Sequence, residues 1–220
     1  MVIPFLLVML AISLALFFFS RAAVESIERH HYEQRTDLYR YIPIKEGDIV
    51  FLGDSITDGG CWEELFPGLP VKNRGINGDS TEGVLKRLDT ILYRNPAAVF
   101  LLIGTNDLNW WSFHHDDEIL ETYDKILQTC LMVSPDTKVF VQSILPRKKK
   151  FARHILSINE RLKGLAKKYG DEYIDLYPHF ATKDGELKPE FNNDHLHLMS
   201  NGYKKWVKIL TPYIEKIVKP

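Results

Sequence analysis

Residues 97–103, Ala-Ala-Val-Phe-Leu-Leu-Ile, form an unbroken apolar run between Asn95-Pro96 and Gly104. Such a run suits a strand buried on both faces, which is the condition of a parallel sheet between two helical layers. The flanking sequence carries the same theme. Shorter apolar segments at 48–52, 71–73, 138–144 and 173–176 read as further strands. Between them lie helical patterns at 60–66, 80–93, 116–133 and 151–169, and a closing one at 200–218. In 80–93 the apolar positions Val84, Leu85, Leu88, Ile91 and Leu92 keep helical spacing, with Asn95-Pro96 as the stop. Asp116 or Asp117 is the expected N-cap of the next helix, and Gly170 closes the one after it. Strands that alternate with helices imply right-handed crossovers. The expected fold is α/β: a three-layer α/β/α sandwich around a flavodoxin-like, five-stranded parallel sheet.

The N-terminus differs in kind. Met1 to Ser20 carry no charged side chain and include Phe17-Phe18-Phe19. Nineteen helical residues span about 28 Å, close to the roughly 30 Å hydrocarbon core of a bilayer. Residues 1–20 therefore read as a transmembrane helix or signal anchor. The alternative is a cleaved signal peptide, for which Ser20-Arg21-Ala22 is a mediocre site and a basic leading segment is missing. Arg21, Arg29, Arg35 and Arg40 all follow the apolar stretch, which by the positive-inside rule favours a cytoplasmic domain. Acidic residues interleave with them, and the membrane side stays open. Residues 21–42 are polar and free of glycine, a helical stalk that would space the domain from lipid, and the globular domain is expected over 43–220. The net charge of −1 gives no electrostatic case for nucleic acid. Two cysteines, Cys61 and Cys130, make neither a disulfide framework nor a zinc spacing, and read as buried or half-buried thiols, with a single bridge between them the alternative for an exported domain.

Four loops at expected strand ends carry polar groups. Gly53-Asp54-Ser55-Ile56-Thr57 follows the first strand and puts a hydroxyl at the carboxyl edge of the sheet, where open α/β folds bind ligands. Ser55 is a nucleophile candidate, and equally a helix cap by itself. Thr57 stands where a Gly-x-Ser-x-Gly nucleophile elbow needs glycine. Asn73 to Ser80 contains Gly75 and Gly78, which permit a tight turn with inward N–H groups, and Asp79 or Ser80 can cap the next helix. Gly104-Thr105-Asn106-Asp107 offers an Asn amide to the crevice, or an Asx turn. In Asp194-His195-Leu196-His197, an acid and an imidazole three residues apart can meet within one turn. Two histidines alone are an incomplete metal set, so no metal is expected.

Together these blocks resemble the SGNH hydrolase superfamily, the GDSL-type esterases and lipases, over about residues 43 to 218. The branch most similar is the platelet-activating-factor acetylhydrolase-like one, which Ser143-Ile144-Leu145-Pro146-Arg147 also resembles. The resemblance implies Ser55 as nucleophile, His197 as general base and Asp194 as its partner. It implies an oxyanion hole from the Ser55 N–H, the Gly78 N–H and the Asn106 side chain, with no cofactor. Trp110 and Trp111, just past the Asn106 block, and Arg147, leading the basic run to Lys150, are candidate substrate-binding residues. Stacking on a sugar or an acyl chain suits the tryptophans, and packing under the next helix suits them as well. The expected function is a membrane-anchored serine esterase acting on small acyl esters, acetylated carbohydrates or lipid esters. The alternatives are a carbohydrate O-acyltransferase with the same triad, or a silent binding domain.

Overall fold

The computed structural model describes residues 2–108 and 116–218. Helix α1 (Val2–Tyr41) precedes β1 (Ile49–Gly53), α2 (Ser55–Asp58), α3 (Trp62–Leu65) and β2 (Val71–Gly75). Then come α4 (Thr81–Lys86), α5 (Asp89–Leu92), β3 (Ala98–Leu102), α6 (Asp116–Val133) and β4 (Lys138–Gln142). The chain ends with α7 (Ala152–Tyr169), β5 (Glu172–Ile174), α8 (Tyr177–Phe180) and α9 (Ser200–Val218). All strand pairs are parallel, in the order β2-β1-β3-β4-β5. That is the flavodoxin-like order, and its strand reversal falls at the carboxyl ends of β1 and β3.

The sheet is buried on both faces. Phe51, Phe100 and Phe140 are register partners on β1, β3 and β4 and stack at 5.2 and 4.5 Å between centroids. Trp62 continues the stack on Phe51 at 3.9 Å and meets Trp206 of α9 edge-on. The Trp206 indole N–H donates to the Gln142 side chain (2.7 Å), so the largest core residue buries no unpaired donor. On the opposite face Leu52, Leu101 and Val141 pack with α4, α5, α6 and α7. Both layers thus lock the strands whose carboxyl ends carry the polar loops.

Three details depart from the expectations. The helix read over 80–93 divides at Arg87, because that side chain turns fully inward to Asp79 and the Gly53 carbonyl (2.7–3.1 Å). Asp116 and Asp117 lie in the first turn of α6 rather than at its cap, and they bind His154 and Arg161. Cys61 is exposed, whereas Cys130 is buried and its thiol is pushed up to about 12 by burial.

Helix α1 continues without a break through the segment expected to be a spacing stalk. Its last turns lie on the domain: Tyr39 and Thr36 are buried. Its first half does not: Leu16, Phe18 and Phe19 are exposed. By length and composition it is the described helix able to cross a membrane.

Candidate active site

Ser55 opens α2 at the carboxyl end of β1. Asp54 caps that helix, its carboxylate accepting the Ile56 N–H (2.9 Å), so Ser55 itself is left at the first helical position. The Asp54 side chain is completely buried, and its second oxygen has no partner among the described residues. Burial pushes that carboxyl up to about 7, against the pull of the Ile56 hydrogen bond.

The loop after β2 is fixed from several sides. The Asn73 side chain accepts from the Gly75 N–H and donates to the Asp58 and Gly60 carbonyls. A side chain at Gly75 would sit 2.1 Å from the Asp58 nitrogen, so only glycine lets β2 end this close to α2. Gly78 stands at φ +75°, where other residues are strained. Ser80 caps α4 by accepting the Gly83 N–H. Asp79 is buried and holds Arg87, which in turn donates to the Gly53 carbonyl beside the nucleophile candidate. The loops after β1 and β2 are thereby tied through one guanidinium.

Asn106 follows β3 and donates from Nδ2 to the Asp79 carbonyl (2.9 Å). An amide nitrogen has two hydrogens, so one remains available at this edge. Asp107 is buried and accepts from the Thr81 N–H and hydroxyl, which fixes the Asn106 loop to the start of α4. Neither the Ser55 N–H nor the Gly78 N–H donates to an acceptor among the described residues.

The last loop closes the arrangement. His197 Nε2 lies 3.0 Å from Ser55 Oγ, and His197 Nδ1 lies 2.6 Å from Asp194 Oδ2. The other oxygen of Asp194 accepts the Leu196 and His197 backbone N–H groups (2.9 and 2.8 Å). Partial burial raises the Asp194 carboxyl, but the hydrogen bonds from the His197 ring and the two backbone N–H groups outweigh it and hold it below the usual carboxylate range. His195 adopts φ +64° while its N–H donates to Asn192, a bend that separates the two histidines of the loop. Ser55, His197 and Asp194, from ends of the chain 142 positions apart, form one hydrogen-bonded file.

Arg147 is not a free surface cation. It donates to the Thr105 carbonyl (2.8 Å) and stacks on Phe151 at 4.3 Å, where burial lowers its pKa. Its bond to the Thr105 carbonyl braces the loop that carries Asn106. Lys149 pairs with Asp184 further out on the same edge. Trp110 and Trp111 lie outside the described residues. The buried Asp54, Arg87 and Asn159, which clamps both polar groups of Ile144, carry no role in the sequence-based expectations, and Asp79, the alternative cap of α4, pairs with Arg87 while Ser80 caps the helix. Their sequence neighbours are largely polar or glycine, so nothing local marks them as buried.

The GDSL-like Lipase/Acylhydrolase family model matches residues 51–205. The alpha2 subunit of platelet-activating factor acetylhydrolase IB from Homo sapiens is 30% identical over 187 residues, 80% of this chain and 79% of that protein. The alpha1 subunit from Rattus norvegicus is 31% identical over 169 residues, 72% of this chain and 71% of that one. Among solved structures, a candidate platelet activating factor from Streptococcus pneumonia superposes with a TM-score of 0.82 at 30% identity, covering 89% of this chain and 98% of that one. A GDSL-like lipase from Bacteroides thetaiotaomicron shares the fold at a TM-score of 0.73 and 23% identity, over 87% of this chain and 98% of its own.

Proposed function

The chain belongs to the GDSL-like lipase/acylhydrolase family, a hydrolase of ester bonds, and from that premise we propose a membrane-anchored serine esterase for acetyl or other short-chain O-acyl esters. Ser55 is the nucleophile. His197 takes its proton through Nε2, and Asp194 holds the imidazole in the tautomer that leaves Nε2 free to accept. Attack on the ester carbonyl gives a tetrahedral oxyanion. The Ser55 and Gly78 N–H groups and the free Asn106 amide hydrogen receive it. His197 then returns the proton to the leaving alcohol. Water attacks the acyl-Ser55 ester by the same route in reverse, and the acid departs.

The observation that carries this reading is the file Ser55 Oγ, His197, Asp194, with links of 3.0 and 2.6 Å. It is supported by the unspent N–H donors on the neighbouring loops. Residues 1–20, apolar and exposed where described, are read as the anchor. The test is hydrolysis of p-nitrophenyl acetate by the purified chain and by Ser55→Ala. The substitution is expected to remove all but a trace of turnover at unchanged folding. Wild-type rates in Ser55→Ala would refute the assignment.

A further inference from the structure

Helix α1 docks through one stripe whose partners follow a vertical order. Arg40 pairs with Asp89 at the start of α5. The Tyr39 hydroxyl donates to the Gly75 carbonyl at the carboxyl end of β2 (2.7 Å), with Arg74 and Arg35 over its ring at 4.5 and 4.9 Å. Arg35 reaches Asp58 of α2 (3.3 Å), and the Tyr32 hydroxyl reaches the Gly83 carbonyl in α4 (2.8 Å). Glu28 lies against Gly78, at the tip of the loop that follows β2. Positions 28, 32, 35 and 39 recur every three to four residues, which is one helix face. The dock therefore climbs past the carboxyl edge of the sheet as the helix is followed back toward its N-terminus.

Above Glu28 the helix leaves the domain. Val24 and Ile27 are exposed, and no glycine or proline interrupts it after Pro4. Glu28 lies nine helical steps after Phe19, about 14 Å along the axis. A headgroup layer occupies about 5–8 Å of that on one side of a bilayer. The apolar segment thus emerges on the same side of the domain as Ser55 and His197, a short way beyond the Gly78 loop.

We propose that α1 is a rigid strut that turns the carboxyl edge of the sheet toward the bilayer. The site then takes its ester from the lipid surface: an acyl ester whose other half remains in the membrane. This rests on the esterase reading above and adds to it where the substrate comes from.

The test uses the full chain in phosphatidylcholine vesicles with two acetate esters. One is soluble p-nitrophenyl acetate, and the other is a fluorogenic aryl acetate held in the bilayer by a hexadecyl chain. A seven-residue Ala/Glu/Lys helical insert between Ala22 and Ala23 lifts the domain about 10 Å and turns it only about 20° from register. The insert is expected to lower hydrolysis of the embedded ester by about tenfold or more, through loss of effective concentration, and to leave the soluble ester within about twofold. An unchanged ratio of the two rates overturns the proposal and leaves the esterase reading intact. A wild-type chain inert toward p-nitrophenyl acetate defeats the esterase reading instead. Orientation has its own readout. A fluorophore on Asp184→Cys, at the catalytic edge, is compared with one on Asp136→Cys, before β4 at the opposite edge, both in a Cys61→Ser background. Energy transfer to an acceptor lipid is expected to be stronger from position 184. Equal or reversed transfer overturns the strut orientation whatever the activity.

Discussion

Asp194→Asn removes one charge and keeps the shape, and the loop geometry dictates its consequence. The carboxylate oxygen facing the backbone accepts two N–H groups, at 2.9 and 2.8 Å, and the other faces His197 Nδ1 at 2.6 Å. An asparagine that keeps the two backbone bonds must turn its NH₂ toward Nδ1. The imidazole proton then moves to Nε2, which faces Ser55 Oγ as a donor and no longer as a base. Restoring the productive tautomer needs the amide to flip, which forfeits two backbone hydrogen bonds of about 0.5–1.5 kcal/mol each. The flipped amide also replaces a charged acceptor, worth about 1.5–3 kcal/mol, at the imidazolium that forms during attack. Together these come to about 2.5–6 kcal/mol, so kcat is expected to fall by roughly 10²–10⁴. The side chains are close to half exposed, so unfolding midpoints should barely move. Stopped-flow or steady-state p-nitrophenyl acetate hydrolysis, beside a urea melt, measures both. A variant that keeps a tenth or more of wild-type kcat would refute the tautomer argument.

Asn106→Ala should lower kcat by about 10²–10³ with little change in KM, as loss of one oxyanion donor does, and unchanged steady-state kinetics would remove Asn106 from that role. Arg87→Met strands the buried Asp79 and should destabilise the fold by about 3–5 kcal/mol, read as a drop in urea midpoint; a neutral effect would show that the pair is dispensable. Asp54→Asn tests the buried carboxyl. Its folded pKa, about 7, stands above the ordinary 3.8, so the charged form is disfavoured on folding. Wild-type stability is free of this penalty below about pH 4 and loses up to about 4 kcal/mol as pH rises through 7. Asparagine keeps an oxygen for the Ile56 N–H and does not titrate. The variant's advantage should therefore grow between pH 4 and pH 8 in urea titrations, and a pH-independent difference would contradict the assignment.

The strands and the four loops at their carboxyl ends were legible because burial on both faces leaves long apolar runs and chemistry collects where those runs stop. The spans of α6 and α9 follow from periodicity alone, since nothing inward competes with it. Arg87 is different: its period places it on a helix, and only the buried Asp79 explains why it breaks one. The dock of α1 was illegible for a similar reason. Tyr32, Arg35 and Tyr39 look like a solvated face, yet hydrogen bonds and cation–π contacts with Arg74 satisfy them at the domain surface. Arg147 reads as a substrate-seeking cation until its bond to the Thr105 carbonyl is seen. Polar residues buried with a distant partner leave no local pattern, and those are the ones that set the loops around Ser55.

The mechanism turns on a covalent acyl intermediate at Ser55. Treating the purified full chain with a fluorophosphonate and mapping the adduct by peptide mass spectrometry tests it most directly. One adduct per chain is expected, on Ser55, accumulating in step with loss of p-nitrophenyl acetate hydrolysis and absent from Ser55→Ala. Full esterase activity with Ser55 unlabelled, or inactivation that tracks an adduct on another residue, would contradict it.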